Sequence, residues 1–475
     1  MSRRVTRRGF LLQICVAGSV ALVVACAARE MRPESVDKPM SIEEEFKYGS
    51  VGIESEEGIP YWIWQVLPRV FADRLPRPGG YAAFGFRWEP GKELPVGFSK
   101  ADLFGGPRVA INCAFCHTAS IRTTQLEPPR LILAGPGNQI DPQAYVKFLQ
   151  VVAEDPRFNA GELLTAIAGI TRLSWRQRMQ YRFLLIPATR RALRKQRRQY
   201  DWMYGNPAWG PGRIDPFNPV KFGILRLPVD STVGNSDMVP IWNMRARHGT
   251  ALHWDGLNLS LREVVLSSAL GDGASRKSIR LSNLARIEEW LMGVQPPVYP
   301  YDIDRTLAAE GRSVYDRECA QCHAPGGART GSVIPVEEVG TDRHRVDMWT
   351  PAAPLAYNKY AVGYPWVFSG FRKTNGYVAV PLDGVWLRAP YLHNGSVPSL
   401  QELLEPLESR RSTFYRGYDV FDPARVGFVS DGELARRVGT LYDTGLPGNS
   451  NAGHLYGAEL TPALKKALIE YLKTL

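Results

Sequence analysis

The sequence predicts a mainly α-helical protein with long irregular loops, and three observations predict it. Leu307, Gly311, Tyr315 and Cys319 recur every four residues, which lays one apolar or small stripe along a helix. Near the C-terminus, Thr461 and Pro462 read as an N-cap and first helical position, and Leu464, Leu468, Tyr471, Leu472 and Leu475 give the helix after them an apolar face. Gly and Pro are numerous but scattered, so they break the chain into loops without making it fibrous or disordered. With 475 residues there is room for two or three domains with real cores. No long helical or β repeat is evident.

Residues 1–26 read as an export signal. Arg3, Arg4, Arg7 and Arg8 precede an apolar run from Phe10 to Ala25 that ends at Cys26. That run is short for a membrane span, with an uncleaved anchor as the alternative. "VVAC" resembles a bacterial lipobox, in which Cys26 would carry lipid, and "TRRGFLL" resembles a twin-arginine signal. The expectation is a periplasmic protein tied by lipid to the outer membrane. Cleavage after Ala27 would leave a soluble one.

Residues 27–105 begin as a polar tether to about Met40. From Ile59 to about Pro107 the chain is aromatic and rich in Gly and Pro ("PYWIWQVLPRVF", "GGYAAFGFRW"), which predicts irregular chain wrapped around a core more than regular helix.

Residues 106–300 and 301–475, divided near Pro300, each hold one C-x-x-C-H: Cys113, Cys116 and His117, then Cys319, Cys322 and His323. This is the spacing at which a chain forms two thioether bonds to a haem and offers imidazole to its iron. The other two of the six cysteines, Cys15 and Cys26, lie in the leader, so no pair remains for a disulfide. Zinc would need further ligands near each motif. Two covalent haem c groups are expected, with His117 and His323 as their proximal ligands. The first motif comes after a Gly-Gly-Pro stretch and lacks a preceding helix, whereas the second ends one.

Opposite His323, the loop before the last helix offers His454 as the leading distal ligand, with His393 second and Met348 or His344 after it. Opposite His117 the leading reading is an open position. No histidine occurs after it until His248, and Met179, Met203, Met238 and Met244 sit in no ligand-like loop. An open iron beside a low-spin one is the arrangement of a haem enzyme rather than a carrier.

The net charge of +11 is uneven: ten Lys/Arg and no Asp/Glu lie between Arg172 and Arg198, interleaved with Trp175, Tyr181, Phe183 and Leu184. A solvated basic helix pair is the plain reading; docking to anionic lipid or to an acidic redox partner is the sharper one. Nucleic acid is not an expected partner of an exported haem protein.

"VPIWNMRARHGTALHWDGLNLSL" and "LRAPYLHNGSVPSL" resemble the bacterial di-haem cytochrome c peroxidase and MauG superfamily, and "PYWIWQVLP", "LPGNSNAGH" and "ALIEYLKTL" look most like its rubber oxygenase (RoxA-like) branch. The resemblance implies that Trp254 lies between the haems and helps charge cross, that His454 takes the distal place, and that His393 lies near the interhaem region without binding iron. Asn235 and Pro390 fall near positions resembling an interhaem Ca2+ site. The sequence departs from the peroxidases of that superfamily in lacking a distal histidine and a glutamate for peroxide protons, and Leu270 is expected to face the iron instead. The resemblance therefore implies a di-haem oxidoreductase using dioxygen or peroxide, its electrons exchanged with a small periplasmic cytochrome c or cupredoxin. The alternatives are a pure electron-transfer cytochrome and a lipid-anchored docking module.

Overall fold

In the computed structural model, which describes residues 40–103, 105–364 and 368–475, strand Gly106–Ile111 runs between Ile59–Pro60 and Phe98–Leu103 in an antiparallel sheet. It delivers the chain straight to Cys113, so the first motif is preceded by a strand and not a helix. The leader, with Cys15 and Cys26, lies outside the described residues. The chain divides into two units, Met1–Glu43 and Glu44–Leu475, and both C-x-x-C-H motifs belong to the second. Helices carry most of the regular structure and the strands are short, which is the mainly α class the sequence predicts.

The aromatic stretch departs from expectation, because it fills a core instead of wrapping one. Residues Tyr61–Val70 are helical although Pro68 lies within the helix. Pro68 has no N–H for the carbonyl of Trp64; Tyr81 Oη donates to that carbonyl at 2.7 Å and replaces the missing bond. Trp64 stacks on Tyr81 at 4.4 Å and donates its indole N–H to Tyr145 Oη at 3.0 Å. Phe84, Phe86 and Phe98 complete the cluster, and helices Pro142–Glu154 and Ala160–Ala168 pack on it.

The basic segment is one continuous helix and not a pair. Trp175–Gln180 passes through a π turn, Tyr181–Leu185, into Ile186–Gln199. Pro187 is the cause: it cannot donate to the carbonyl of Phe183 and its ring crowds it, so the helix widens and Ile186 N–H reaches Tyr181 O.

Helix Leu261–Gly271 buries Leu266 and Leu270 in a second core with Tyr357, Phe368 and Phe371. Helix Arg305–Glu318 crosses helix Pro462–Leu472, whose N-cap Thr461 accepts from Leu464 N–H as the sequence predicts. The contact is closer than a leucine face allows. A Cβ at Gly311 would lie 1.9 Å from Ala467 O, so small residues meet there. Ala308, Gly311, Val314 and Tyr315 face Ala467, Leu468 and Leu472, while Leu307 and Leu464, expected inside, sit at the edge.

Candidate functional site

Each C-x-x-C-H forms a single helical turn that turns its histidine inward. In the first, Asn112 caps the turn by accepting from Ala114 N–H at 3.1 Å, and Phe115 is buried against Phe86 and Phe98. Gly97 lets the turn approach, since a Cβ there would meet Phe115 Cα at 2.4 Å. In the second, the turn Ala320–His323 continues from helix Arg305–Glu318 with Cys319 between them. None of the four motif cysteines is paired in a disulfide, which leaves each sulfur to a thioether bond.

The two histidines are held alike. His117 Nδ1–H donates to Val239 O at 2.9 Å, and His323 Nδ1–H to Val380 O at 2.7 Å; each of those valines precedes a proline. A carbonyl partner fixes the proton on Nδ1 and leaves the Nε2 lone pair for a metal. Burial also favours the neutral ring, pushing His117 down to about 4 and lowering His323.

Trp254 stands between these two supports. Its indole N–H donates to Asp237 O at 2.8 Å, two residues before Val239. Its own carbonyl accepts from Val378 N–H at 2.8 Å, two residues before Val380. The side chain packs on Val336, Val346 and Tyr377. His393 lies just beyond: its carbonyl accepts from Asp237 N–H, and its Nε2 is 3.0 Å from Tyr377 Oη, with the two rings stacked at 4.1 Å.

Trp254 and His393 occupy equivalent places in a repeated turn. Isolated bridges join Leu252 to Asn258 and Tyr391 to Val397; φ is positive at His253 and Leu392 and again at Gly256 and Gly395. Ser260 and Ser399 then cap helices by accepting from Glu263 and Glu402 N–H. The signal is present in "WDGLNLSLREV" and "HNGSVPSLQEL", too short to show as a periodic repeat.

The surroundings of the two imidazoles differ. His454 faces His323 with ring centroids 6.1 Å apart, and its backbone takes a left-handed φ of 49°. Val339 O accepts from His454 N–H at 2.8 Å, and Arg410 donates to the carbonyls of Asn451, Gly453 and His454. A metal–imidazole bond is about 2 Å and a ring centre lies about 1 Å behind its nitrogen, so two imidazoles on one ion should sit roughly 6 Å apart. His323 and His454 fit that distance. The other candidates are engaged elsewhere: His393 with Tyr377, His344 with Asp342 at 3.0 Å, and Met348 in the Phe217 and Trp349 core.

Among the described residues no ring faces His117 in this way. Near the first motif stands Asp272, the C-cap of helix Leu261–Gly271, whose charge acts on both Cys113 and Cys116. The carboxylate is open at its own surface but ringed by protein, and burial raises it to about 7. Residue patterns alone reveal no acid for this place; Asp272 belongs to it only because the helix end is folded back to the motif. Leu270, two residues earlier and expected to face the iron, points instead into the Tyr357 core and is 1% exposed.

Among the described residues no group of three or more His, Cys, Asp or Glu could hold a metal ion alone. The spacing of the His323 and His454 rings suits an iron whose remaining ligands come from a porphyrin. Asn235, expected beside calcium, has its Oδ1 buried without a partner.

A family model described as RoxA-like, cytochrome c-like matches residues 376–416, which include Val380, His393 and the second copy of the turn. The chain is 31% identical over 287 residues to the uncharacterized protein y4iM of Sinorhizobium fredii, covering 50% of this chain and 64% of that protein. It is 31% identical over 258 residues to y4iJ of the same organism, covering 40% of this chain and 42% of that protein. It thus spans less than two thirds of either relative. The protein carries a RoxA-like, cytochrome c-like domain, and covalently bound haem c is the cofactor that domain implies.

Proposed function

We propose that the protein is an exported di-haem c-type cytochrome working as a peroxidase- or oxygenase-like enzyme, with an open position at the His117 haem and a low-spin haem between His323 and His454. The observation that carries this reading is the unequal surroundings of two histidines held in the same way: an imidazole faces one, and Asp272 stands near the motif of the other. Haem c, held at Cys113, Cys116 and His117 and at Cys319, Cys322 and His323, would supply one-electron exchange and the binding of dioxygen or peroxide. The chain supplies the rest. Val239 and Val380 orient the two histidines, Trp254 is hydrogen-bonded toward both supports, by its indole N–H on one side and its backbone carbonyl on the other, and Asp272 can hold or release a proton near pH 7. Proton transfer of that kind is typically worth roughly 10²- to 10⁴-fold in peroxide cleavage. The free Oδ1 of Asn235, next to strand Ser236–Asp237, supports one calcium ion. A periplasmic location, a lipid anchor at Cys26 and a small cytochrome c or cupredoxin as electron partner belong to the same proposal.

Electron paramagnetic resonance of the isolated protein tests it. One high-spin ferric signal that shifts with cyanide, beside one low-spin signal that does not, is expected. Two low-spin signals that ignore cyanide and peroxide would leave a pure electron-transfer cytochrome.

Trp254→Phe should leave both haem spectra nearly unchanged, since the ring holds no iron, while slowing any peroxide-induced state shared between the haems. Stopped-flow absorbance reads this, and equal rates would reduce Trp254 to a packing residue.

Asp272→Asn has a pH signature. A carboxyl raised to about 7 keeps a proton that the unfolded chain gives up at roughly pH 4, so stability falls as pH rises between the two. The variant should be more stable than the parent at pH 8 and equal to it at pH 3, and peroxide turnover should lose its titration near 7. Parallel thermal midpoints across that range would count against the assignment.

A further inference from the structure

The helix from Trp175 to Gln199 is partnered on its inner face by Tyr181, Leu185, Ile186 and Leu193, which are buried in the first core. Its outer face is apolar as well. Trp175, Met179, Phe183 and Leu184 are 72, 40, 66 and 63% exposed, and the π turn lets the adjacent Phe183 and Leu184 both point outward. Isolated exposed apolar residues are ordinary on any protein, but four of them on two turns of one helix form a patch.

The charges around the patch divide in two. Arg190, Arg194 and Arg197 are engaged by the carbonyls of Ala153 and Asp155, by Glu154 and by Asp201. Arg172, Arg176, Arg178, Arg182 and Arg191 are exposed and make no ion pair among the described residues. Arg176 and Arg182 instead lie against the rings of Trp175 and Phe183, at 5.7 and 5.8 Å. Unpaired guanidinium groups thus border the apolar side chains, and no acidic residue interrupts them between Arg172 and Arg198.

We infer that this face docks on an anionic phospholipid surface, with the aromatic and aliphatic side chains seated at the acyl boundary and the arginines among phosphate headgroups. A helix lying in the membrane plane needs both chemistries on one side, and a lipid interface supplies both together. An acidic protein would answer the arginines but leave the four apolar side chains to be covered separately. The inference is independent of what the haems do.

Co-sedimentation of the full haem-loaded chain with vesicles tests it, comparing phosphatidylcholine alone with phosphatidylcholine plus phosphatidylglycerol at low salt. The parent should gain binding with phosphatidylglycerol and lose that gain in high salt. The pair Arg176→Glu with Arg182→Glu, and separately the pair Trp175→Ala with Phe183→Ala, should each reduce the gain by roughly tenfold or more. Both pairs should keep the haem absorbance and circular dichroism of the parent, since all four positions are exposed. Any leader or anchor is common to parent and variants and cancels in the comparison. No gain in the parent, an equal gain in both variant pairs, loss in the arginine pair alone, or capture on immobilised polyglutamate without vesicle binding would each overturn the inference.

Discussion

His454→Ala is expected to turn the second haem from low-spin to high-spin, or to recruit an exogenous ligand, and to move its reduction potential by on the order of 0.1 V or more, within the roughly 0.8 V that axial ligands span. The argument is geometric. The His323 and His454 rings stand 6.1 Å apart, and the loop that carries His454 is held in place by Val339 O and by three carbonyl contacts from Arg410. Burial pushes His454 down to about 4, which leaves its ring neutral and able to bind metal through the ordinary pH range. His393→Ala is the control: its ring stacks on Tyr377, and burial pushes it down to about 3. That variant should disturb the region around Asp237 without changing spin. Electron paramagnetic resonance with a redox titration separates the two, and a low-spin His454→Ala beside a high-spin His393→Ala would reverse the ligand assignment.

Gly311→Val should cost about 3 kcal/mol or more, the upper end of what overpacking a close contact costs. The first added carbon would already lie 1.9 Å from Ala467 O, which is backbone on a helix and cannot rotate away. The two helices must separate, and Cys319 and His323, which come directly after Arg305–Glu318, move with them. A lower thermal midpoint and weaker retention of haem at the second motif are expected, while the first motif, on its own strand and aromatic core, keeps its spectrum. Gly311→Ala should show the same effect in smaller measure. An unchanged midpoint in the valine variant would mean that the crossing is looser than described.

Much of this was legible in the sequence because it depends on local patterns. The C-x-x-C-H turns, the Thr461 cap and the two crossing helices come from residue spacing, and the pairing of His454 with His323 comes from a loop placed just before the last helix. Features that depend on distant partners were not legible. Helix Tyr61–Val70 survives Pro68 only because Tyr81, far along the chain, takes the orphaned carbonyl, and the basic helix survives Pro187 by widening one turn. Val239 and Val380 carry no signal as supports for histidine until the fold brings their carbonyls to His117 and His323. Asp272 reads in sequence as part of a polar loop, and only the return of the helix end brings its charge to bear on Cys113 and Cys116.

The turn that occurs at Leu252–Asn258 and again at Tyr391–Val397 separates the path of the backbone from the side chain it presents. Matching bridges, matching left-handed positions and matching serine caps set the backbone alike in both places. Trp254 and His393 stand at the same place in that frame. The same backbone carries an indole in one place and an imidazole in the other. One geometry therefore serves two chemistries, a ring that donates to the Asp237 carbonyl and a ring that stacks on Tyr377.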